Sequence, residues 1–470
     1  MFELDLSYSI LLVICLLAAC GFEFVNGFHD TANAVATVIY TNSLKPWVAV
    51  IISGIFNFLG VWLGGIAVAI GIVNLLPVES LVDQNIAHSL SMVMALLISA
   101  IFWNLFTWYF GIPCSSSHTL IGSILGVGIA FSLIPGATET AVNWSKATDI
   151  GLSLLISPLF GFSMTIVLMY IIRSLTKKTV YGEGLFKEPK KNAPPPLWIR
   201  TVLILTCTSV SFSHGSNDGQ KGVGLVMLIL IGIVPSYFAL QISMNPSELI
   251  QPLKQVEQIV STIDSSPFSA TDKAKFEVVK TLNAELQEKL AGISTVEAIT
   301  RSDRFLVRKD ILILDRDLRD LLGVPEMTIS KQHRDTLTAS LAGLRSITDY
   351  SPKWVILMIS LSLGSGTMIG WKRIVKTVGE KIGKEHLTYA QGASAEIVTA
   401  STIALSTNLG LPVSTTHVLS SGIAGSMVAS KGIKNLQANT VRNILMAWLL
   451  TLPVVMIMSG TLFLIFRAIS

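Results

Sequence analysis

The sequence predicts an all-α polytopic membrane protein: two inverted-topology repeats of about five crossings each, with broken or re-entrant Ser/Thr hairpins, plus an inserted soluble helical domain. Three observations predict it. The 470 residues are 51% hydrophobic and only 14% charged, a balance found in multi-pass membrane chains and not in soluble enzymes. Apolar runs long enough to span a bilayer recur along the chain, interrupted by one long segment of mixed charge. Two short polar motifs each occur twice, at fixed offsets.

The start of the chain, Met1-Phe2-Glu3-Leu4-Asp5, is acidic and lacks a small-residue cleavage site, so no removable signal peptide is expected. Spanning runs fall at roughly 8–40, 47–76, 87–110, 111–130, 150–172, 199–240, 353–371, 388–409, 410–430 and 444–467, about ten crossings. These divide the chain into a first membrane repeat (1–172), a cytoplasmic linker (173–198), the start of a second repeat (199–240), an inserted soluble helical domain (241–352) and the rest of the second repeat (353–470). Two runs open on Gly111-Ile112-Pro113 and Gly410-Leu411-Pro412, breaks that suggest discontinuous helices or re-entrant hairpins.

Loop charge sets the orientation. The stretch from Arg173 to Arg200 holds seven basic residues against two acids and is expected in the cytoplasm, as are the basic 371–386 and 431–443 loops. Acid-leaning loops near Glu79/Asp83 and Glu139/Asp149 are expected outside. Five crossings per half thread these assignments with both termini outside, and an odd number inverts the second half relative to the first. The 241–352 segment shows helical periodicity at Phe276, Val279, Leu282, Leu286 and Leu290, and at Ile311, Leu314, Leu318 and Leu322. The threading puts it outside, as an appendage or a regulatory or dimerising element. The four cysteines lie in apolar segments without metal-ligand spacing and read as packing thiols. A net charge of +4 gives no reason to expect nucleic acid.

The motifs carry the functional signal. Asn26-Gly27-Phe28-His29-Asp30-Thr31-Ala32-Asn33 sets an acid, an imidazole and two amides inside an apolar run, with Asn26, Asp30 and Asn33 on one helical stripe. An offset of 188 places it on His214-Gly215-Ser216-Asn217-Asp218-Gly219-Gln220-Lys221, whose stripe is His214, Asp218 and Lys221. Further along, Gly111-Ile112-Pro113-Cys114-Ser115-Ser116-Ser117-His118 matches Gly410-Leu411-Pro412-Val413-Ser414-Thr415-Thr416-His417 at an offset of 299. The offsets differ by 111 residues, about the length of the charged insertion, so one duplication and one inserted domain explain both registers.

Taken singly, each cluster has a structural explanation. An intramembrane Asp beside an Asn is often an interhelical clasp, and a Ser/Thr run usually bonds its own helix carbonyls. Recurrence of both clusters in both halves points instead to one shared site. Ser115, Ser116, Ser117, Ser414, Thr415 and Thr416 offer hydroxyls and helix-start N–H donors suited to an anion. Asp30, Asn33, Asn217 and Asp218 supply hard oxygens for Na⁺ or a proton, and a cation beside the anion lowers the cost of carrying both into low dielectric. A multivalent oxyanion moved together with a cation fits both parts.

At these motifs the chain resembles the inorganic phosphate transporter (PiT) family, specifically the bacterial Pit-type low-affinity phosphate permeases. The resemblance covers nearly all of the membrane portion, four motifs recurring in order. It implies secondary transport of inorganic phosphate by an alternating-access carrier in the bacterial inner membrane. Phosphate would lie between the Ser/Thr hairpins and the coupling cation near the Asp motifs. It further implies a homodimer in lipid, no cofactor and no fixed metal, the phosphate travelling free or with a divalent metal. Sodium-coupled relatives carry Asp-x-x-Asn in both halves, whereas Lys221 stands at the second Asn position here. A tethered ammonium in place of a sodium ion argues for proton symport, with Na⁺ coupling as the alternative; a snorkelling Lys or an Asp218 clasp is the plain structural explanation.

Glu396, inside a predicted membrane helix, is the candidate proton-responsive group, since the family carries an important acid at the matching place; a gating or packing role is its other reading. Glu23 and Asn57 are weaker candidates. The four motif histidines, His29, His118, His214 and His417, either shuttle protons or orient neighbouring hydroxyl and carboxyl groups. A Ser/His hydrolase is disfavoured because Thr replaces Ser in the second copy and no Gly-x-Ser-x-Gly elbow is seen. A channel is the third class considered.

Overall fold

Apolar composition makes the long segments helical, and glycine, proline and hydroxyl caps decide where each helix breaks. A computed structural model describes residues 4–76, 86–134, 142–177, 179, 182–189 and 193–469, the side chains of 31–33, 86, 183, 376 and 378–380 lying outside the description. Glu79, Asp83 and Glu139, which carried part of the orientation argument, fall outside it, as do Lys178, Lys190 and Lys191 of the linker. Among the described residues no strand is present, only an isolated bridge between Gly383 and Leu436. The chain divides into two compact units, residues 230–350 and the remainder.

In the larger unit α1 runs over Leu6–Tyr40 and α2 over Pro46–Leu63, with proline at its first position, where the missing N–H costs nothing. The run expected at 47–76 is broken at Gly64 and left-handed Gly65, and α3, Ala67–Val73, follows. Next come α4 (Ile86–Tyr109), α5 (Ser116–Ser132), α6 (Trp144–Thr176) and α7 (Leu197–Ile233). Asp149, read above as a loop acid, lies in the second turn of α6.

The smaller unit holds four longer helices, α8 (Ile250–Val260), α9 (Ala270–Leu290), α10 (Arg301–Leu322) and α11 (Lys331–Arg345). Ser269, Thr300 and Ser330 cap the last three through the N–H of the third helical residue. Its core buries Phe276, Val279, Leu286, Leu290, Ile311, Leu314 and Leu318, the apolar stripes visible in the sequence. The chain segments that open and close it are tied together: Arg308 donates from Nη1 to the Ala239 and Thr348 carbonyls at 3.0 and 2.8 Å, and the Tyr350 hydroxyl to Phe238 at 3.1 Å. Burial pushes the Tyr350 phenol up to about 12, so it remains a donor at any physiological pH.

The larger unit resumes with α12 (Lys353–Thr367), α13 (Lys372–Glu380), α14 (Tyr389–Asn408), α15 (Thr415–Lys431) and α16 (Ala438–Ile469). Among the described residues five helices, α1, α2, α4, α6 and α16, are long and apolar enough to cross a membrane. The other expected crossings fall on helices that are short, such as the 15-residue α12 and 17-residue α15, or interrupted by polar residues, as α7 is by Ser213–Lys221.

The sequence offset of 299 recurs in the backbone. The bounds of α5 and α15 are related by it, Gly111 and Gly410 both turn at φ +66°, and Ser115 and Ser414 cap with nearly equal dihedrals. Helices pack across the two halves: α1 lies on α12, α5 on α16 and α15 on α6. Glycine permits the close approaches. A Cβ at Gly27 would come within 2.4 Å of the Leu363 carbonyl oxygen, and one at Gly215 within 2.2 Å of that of Asn57, since α7 lies directly on α2. Gly215→Ala is therefore expected to lower stability by about 1–3 kcal/mol or more, the cost of overpacking against unyielding backbone. Thermal unfolding in detergent reads it, and an unchanged midpoint would disprove the close contact.

Candidate functional site

The described residues of the first-copy stripe on α1 and of the second-copy stripe on α7 are buried, as costly polar groups in apolar surroundings have to be: Asn26, Asp30, His214, Asp218 and Lys221 are each at most 2% exposed. They meet the starts of α5 and α15, where an extended Gly-x-Pro segment halts the chain and a serine restarts the helix. Ser115 and Ser414 are the N-caps, each accepting the N–H three residues on, of His118 and His417, at 3.2 Å. One oxygen lone pair of each is thereby committed to the backbone, a division of labour the sequence could not show.

The next two residues of each helix reach the carboxylates. Ser116 Oγ lies 3.0 Å from Asp30 Oδ2 and 3.3 Å from Asp218 Oδ2. Carrying one proton, it can donate to only one at a time. From α15, Thr416 donates to Asp30 Oδ1 at 2.7 Å, and Thr415 lies 3.5 Å from Asp218 Oδ1. Each aspartate thus faces hydroxyls of both helix starts, the single Ser116 proton serving one of the two at a time.

Lys221 completes the second-copy side. Its Nζ donates to Asp218 Oδ1 at 2.7 Å, to the Val413 carbonyl at 3.0 Å and to Ser117 Oγ. Carboxylate, hydroxyl and carbonyl oxygens around a single charge are the ligand types a hard cation selects. On the first-copy side Asn33 sits on α1, but its side chain lies outside the described residues.

Asn217 holds the extended segment before α15, donating to Thr407 Oγ1 at 2.9 Å and the Leu411 carbonyl at 3.1 Å, while its Oδ1 accepts from Val413 N–H at 3.1 Å. His29, its counterpart at the 188 offset, bonds Asp30 Oδ1 at 3.1 Å and Thr107 at 3.3 Å. Sequence reasoning passed over Gln220, whose amide spans the α2–α3 break by accepting from Val68 N–H at 2.7 Å and donating to Gly64 at 2.6 Å. The signal was there: a third amide or acid in the same short motif.

Asn57 fixes the orientation of His214. Thr367 donates to the Leu363 carbonyl at 2.8 Å, so it accepts from Asn57 Nδ2 at 3.0 Å, leaving Asn57 Oδ1 to accept from His214 Nδ1 at 2.8 Å. In the neutral ring Nε2 then carries the lone pair, facing Asp30 Oδ2 at 3.8 Å and Asp218 Oδ2 at 3.6 Å. One donor atom from each of these three residues lies within 4.8 Å of the others, a set that could hold a metal ion. A proton on Nε2 or a shared cation would complete it.

Two sets of predicted residues stand apart from the carboxylates. The rings of His118 and His417 lie 4.4 Å apart, tilted by 39°, and His417 stacks on Trp448 at 3.9 Å; His118 Nδ1 bonds Ser115 at 2.9 Å. Glu396, fully buried on α14, accepts from Thr206 of α7, and among the described residues no hydrogen bond joins it to Asp30 or Asp218.

Helices of membrane-spanning length around a buried polar cluster define the class of multi-pass membrane transporters. Within it the chain belongs to the phosphate transporter family, whose profile matches residues 26–459. It is 40% identical to the low-affinity inorganic phosphate transporter PitA of Escherichia coli K12, over 98% of this chain and 97% of that one. It is 38% identical to PitB of the same strain over the same shares, and 30% identical to a probable low-affinity inorganic phosphate transporter of Bacillus subtilis, over 96% and 95%. These relatives are named transporters, a non-enzymatic role. A solved structure described as the sodium-dependent phosphate transporter shares the fold, with a TM-score of 0.56 and 20% identity over 98% of this chain and 100% of that one.

Proposed function

We propose that this chain is a secondary active transporter that imports inorganic phosphate by symport with protons, through alternating access. In this reading two inverted repeats enclose one site in the bacterial inner membrane, and the protein works as a homodimer. Phosphate binds against the starts of α5 and α15, where Ser116, Thr415 and Thr416 turn their hydroxyls from the carboxylates, and Ser117 from the Val413 carbonyl, to the anion. Ser115 and Ser414 hold those starts in shape. The divided 1–172 and 199–470 layout, with 241–352 inserted, is the frame that rocks around the site.

One observation carries the coupling assignment: the Lys221 ammonium lies among Asp218, Ser117 and the Val413 carbonyl, an oxygen set of the kind that binds a hard cation. A tethered charge there does the work of one coupling ion, leaving the remaining cation to be a proton. Sodium coupling is the second reading, favoured by the fold shared with a sodium-dependent transporter. The set of Asp30, His214 and Asp218 is where a divalent metal accompanying phosphate would sit.

Counterflow of labelled phosphate in proteoliposomes tests the transporter class. A carrier loaded with unlabelled phosphate accumulates label transiently against its gradient. Simple equilibration of the label would indicate a channel and refute the proposal.

A further inference from the structure

Glu23 lies on α1 two turns before Asp30, on the same face, and is completely buried. Its Oε2 accepts from Asn26 Nδ2 at 3.1 Å. Among the described residues its Oε1 and the Asn26 Oδ1 are both buried without a hydrogen-bond partner. The carboxyl is pressed against α7: a Cβ added at Gly222 would come within 2.6 Å of Oε1. Two acceptor oxygens lacking a donor in a dry site are costly, and a carboxylate without a counter-ion more so.

The obvious counter-ion is already committed. Gly222 follows Lys221, but that ammonium has three hydrogens and three oxygen partners, Asp218, Ser117 and Val413. His214 faces the two aspartates. The titratable groups acting on Glu23 are Asp218, Lys221 and His214 of α7, with Cys20 on its own helix. Of the other helices against α1, α2 has no titratable residue, α12 has only Lys353 at its first residue, and α4 has His88 and Tyr109 near its ends. From α13, Arg373 lies over the Trp108 and Tyr109 rings; from α14 and α15, Glu396 bonds Thr206, and His417 stacks on Trp448. Among the described residues none is placed as an ion-pair partner for Glu23. One added proton turns the carboxyl into a donor and removes its charge.

We infer that Glu23, with Asn26 as its hydrogen-bond partner, takes up and releases the transported proton. The inference rests on the symport reading. In the cycle one proton from the outer solution adds to the Glu23 carboxyl while phosphate is bound, and leaves to the inner solution after phosphate departs. No other bond changes. Exchange of phosphate for phosphate uses only the loaded, protonated carrier, whereas net uptake requires the proton to leave.

The test compares wild type, Glu23→Gln and Glu23→Asp in proteoliposomes, measuring phosphate counterflow and pH-gradient-driven uptake. Gln, which mimics the protonated acid, should keep counterflow while gradient-driven uptake falls by about a hundredfold or more, the scale of losing an acid–base group. Asp should keep gradient-driven uptake with a displaced pH profile. Gradient-driven uptake that survives in Glu23→Gln overturns the assignment, as does an unmoved profile in Glu23→Asp if the Gln variant proves unstable. Wild type that exchanges phosphate but ignores a pH gradient removes the symport reading itself, and this assignment with it.

Discussion

Asp218→Asn is expected to abolish phosphate counterflow and to destabilise the protein. The carboxylate is fully buried, accepts from Lys221 at 2.7 Å and lies 3.3 Å from Ser116 Oγ. Asparagine keeps the shape but removes the charge, leaving the ammonium in low dielectric with only neutral oxygens. Removing one partner of a buried ion pair costs about 3–5 kcal/mol, and every 1.4 kcal/mol is about a factor of ten in an equilibrium. The folding equilibrium is therefore expected to weaken by more than about a hundredfold. Two causes are separable. The double replacement Asp218→Asn/Lys221→Met removes the stranded charge and should restore the unfolding midpoint, but not counterflow, because the cation position is lost. Counterflow near the wild-type rate in Asp218→Asn alone would show that the pair is only a structural clasp.

Lys221→Asn is expected to change the ion dependence of uptake. The ammonium holds Asp218, Ser117 and the Val413 carbonyl together, and asparagine is too short to do so. The vacated position, lined by a carboxylate, a hydroxyl and a carbonyl, has the ligands a sodium ion prefers. Uptake by the variant should be slow without Na⁺ and rise when Na⁺ is added, while wild type stays indifferent. If the variant keeps both its rate and its indifference to Na⁺, the tethered-cation account is wrong.

Much of this site was legible in the sequence because polar residues inside apolar runs are expensive. Asp30, Asp218 and Lys221 announced themselves that way, and the 188 and 299 offsets paired the motifs before any geometry was known. Fine roles were less legible. Three consecutive hydroxyls look alike until the helix start is fixed, and only then does Ser115 become a cap while Ser116 faces two carboxylates. Asn57 and Gln220 act through partners more than 150 positions away, the distances over which local spacing carries no information. Helix breaks were less legible for a related reason: hydropathy marks the run at 47–76 as continuous, whereas Gly64 and Gly65 break it, and Gln220 secures the break. Glu396 was chosen for its burial and its place in the family, yet its partner is Thr206 rather than the central cluster.

Phosphate uptake into proteoliposomes with pH, Na⁺ and Mg²⁺ gradients imposed one at a time addresses the central claim most directly. With Lys221 occupying one cation position, a pH gradient alone should drive accumulation, and a Na⁺ gradient alone should not. Accumulation driven by Na⁺ and indifferent to pH would contradict it.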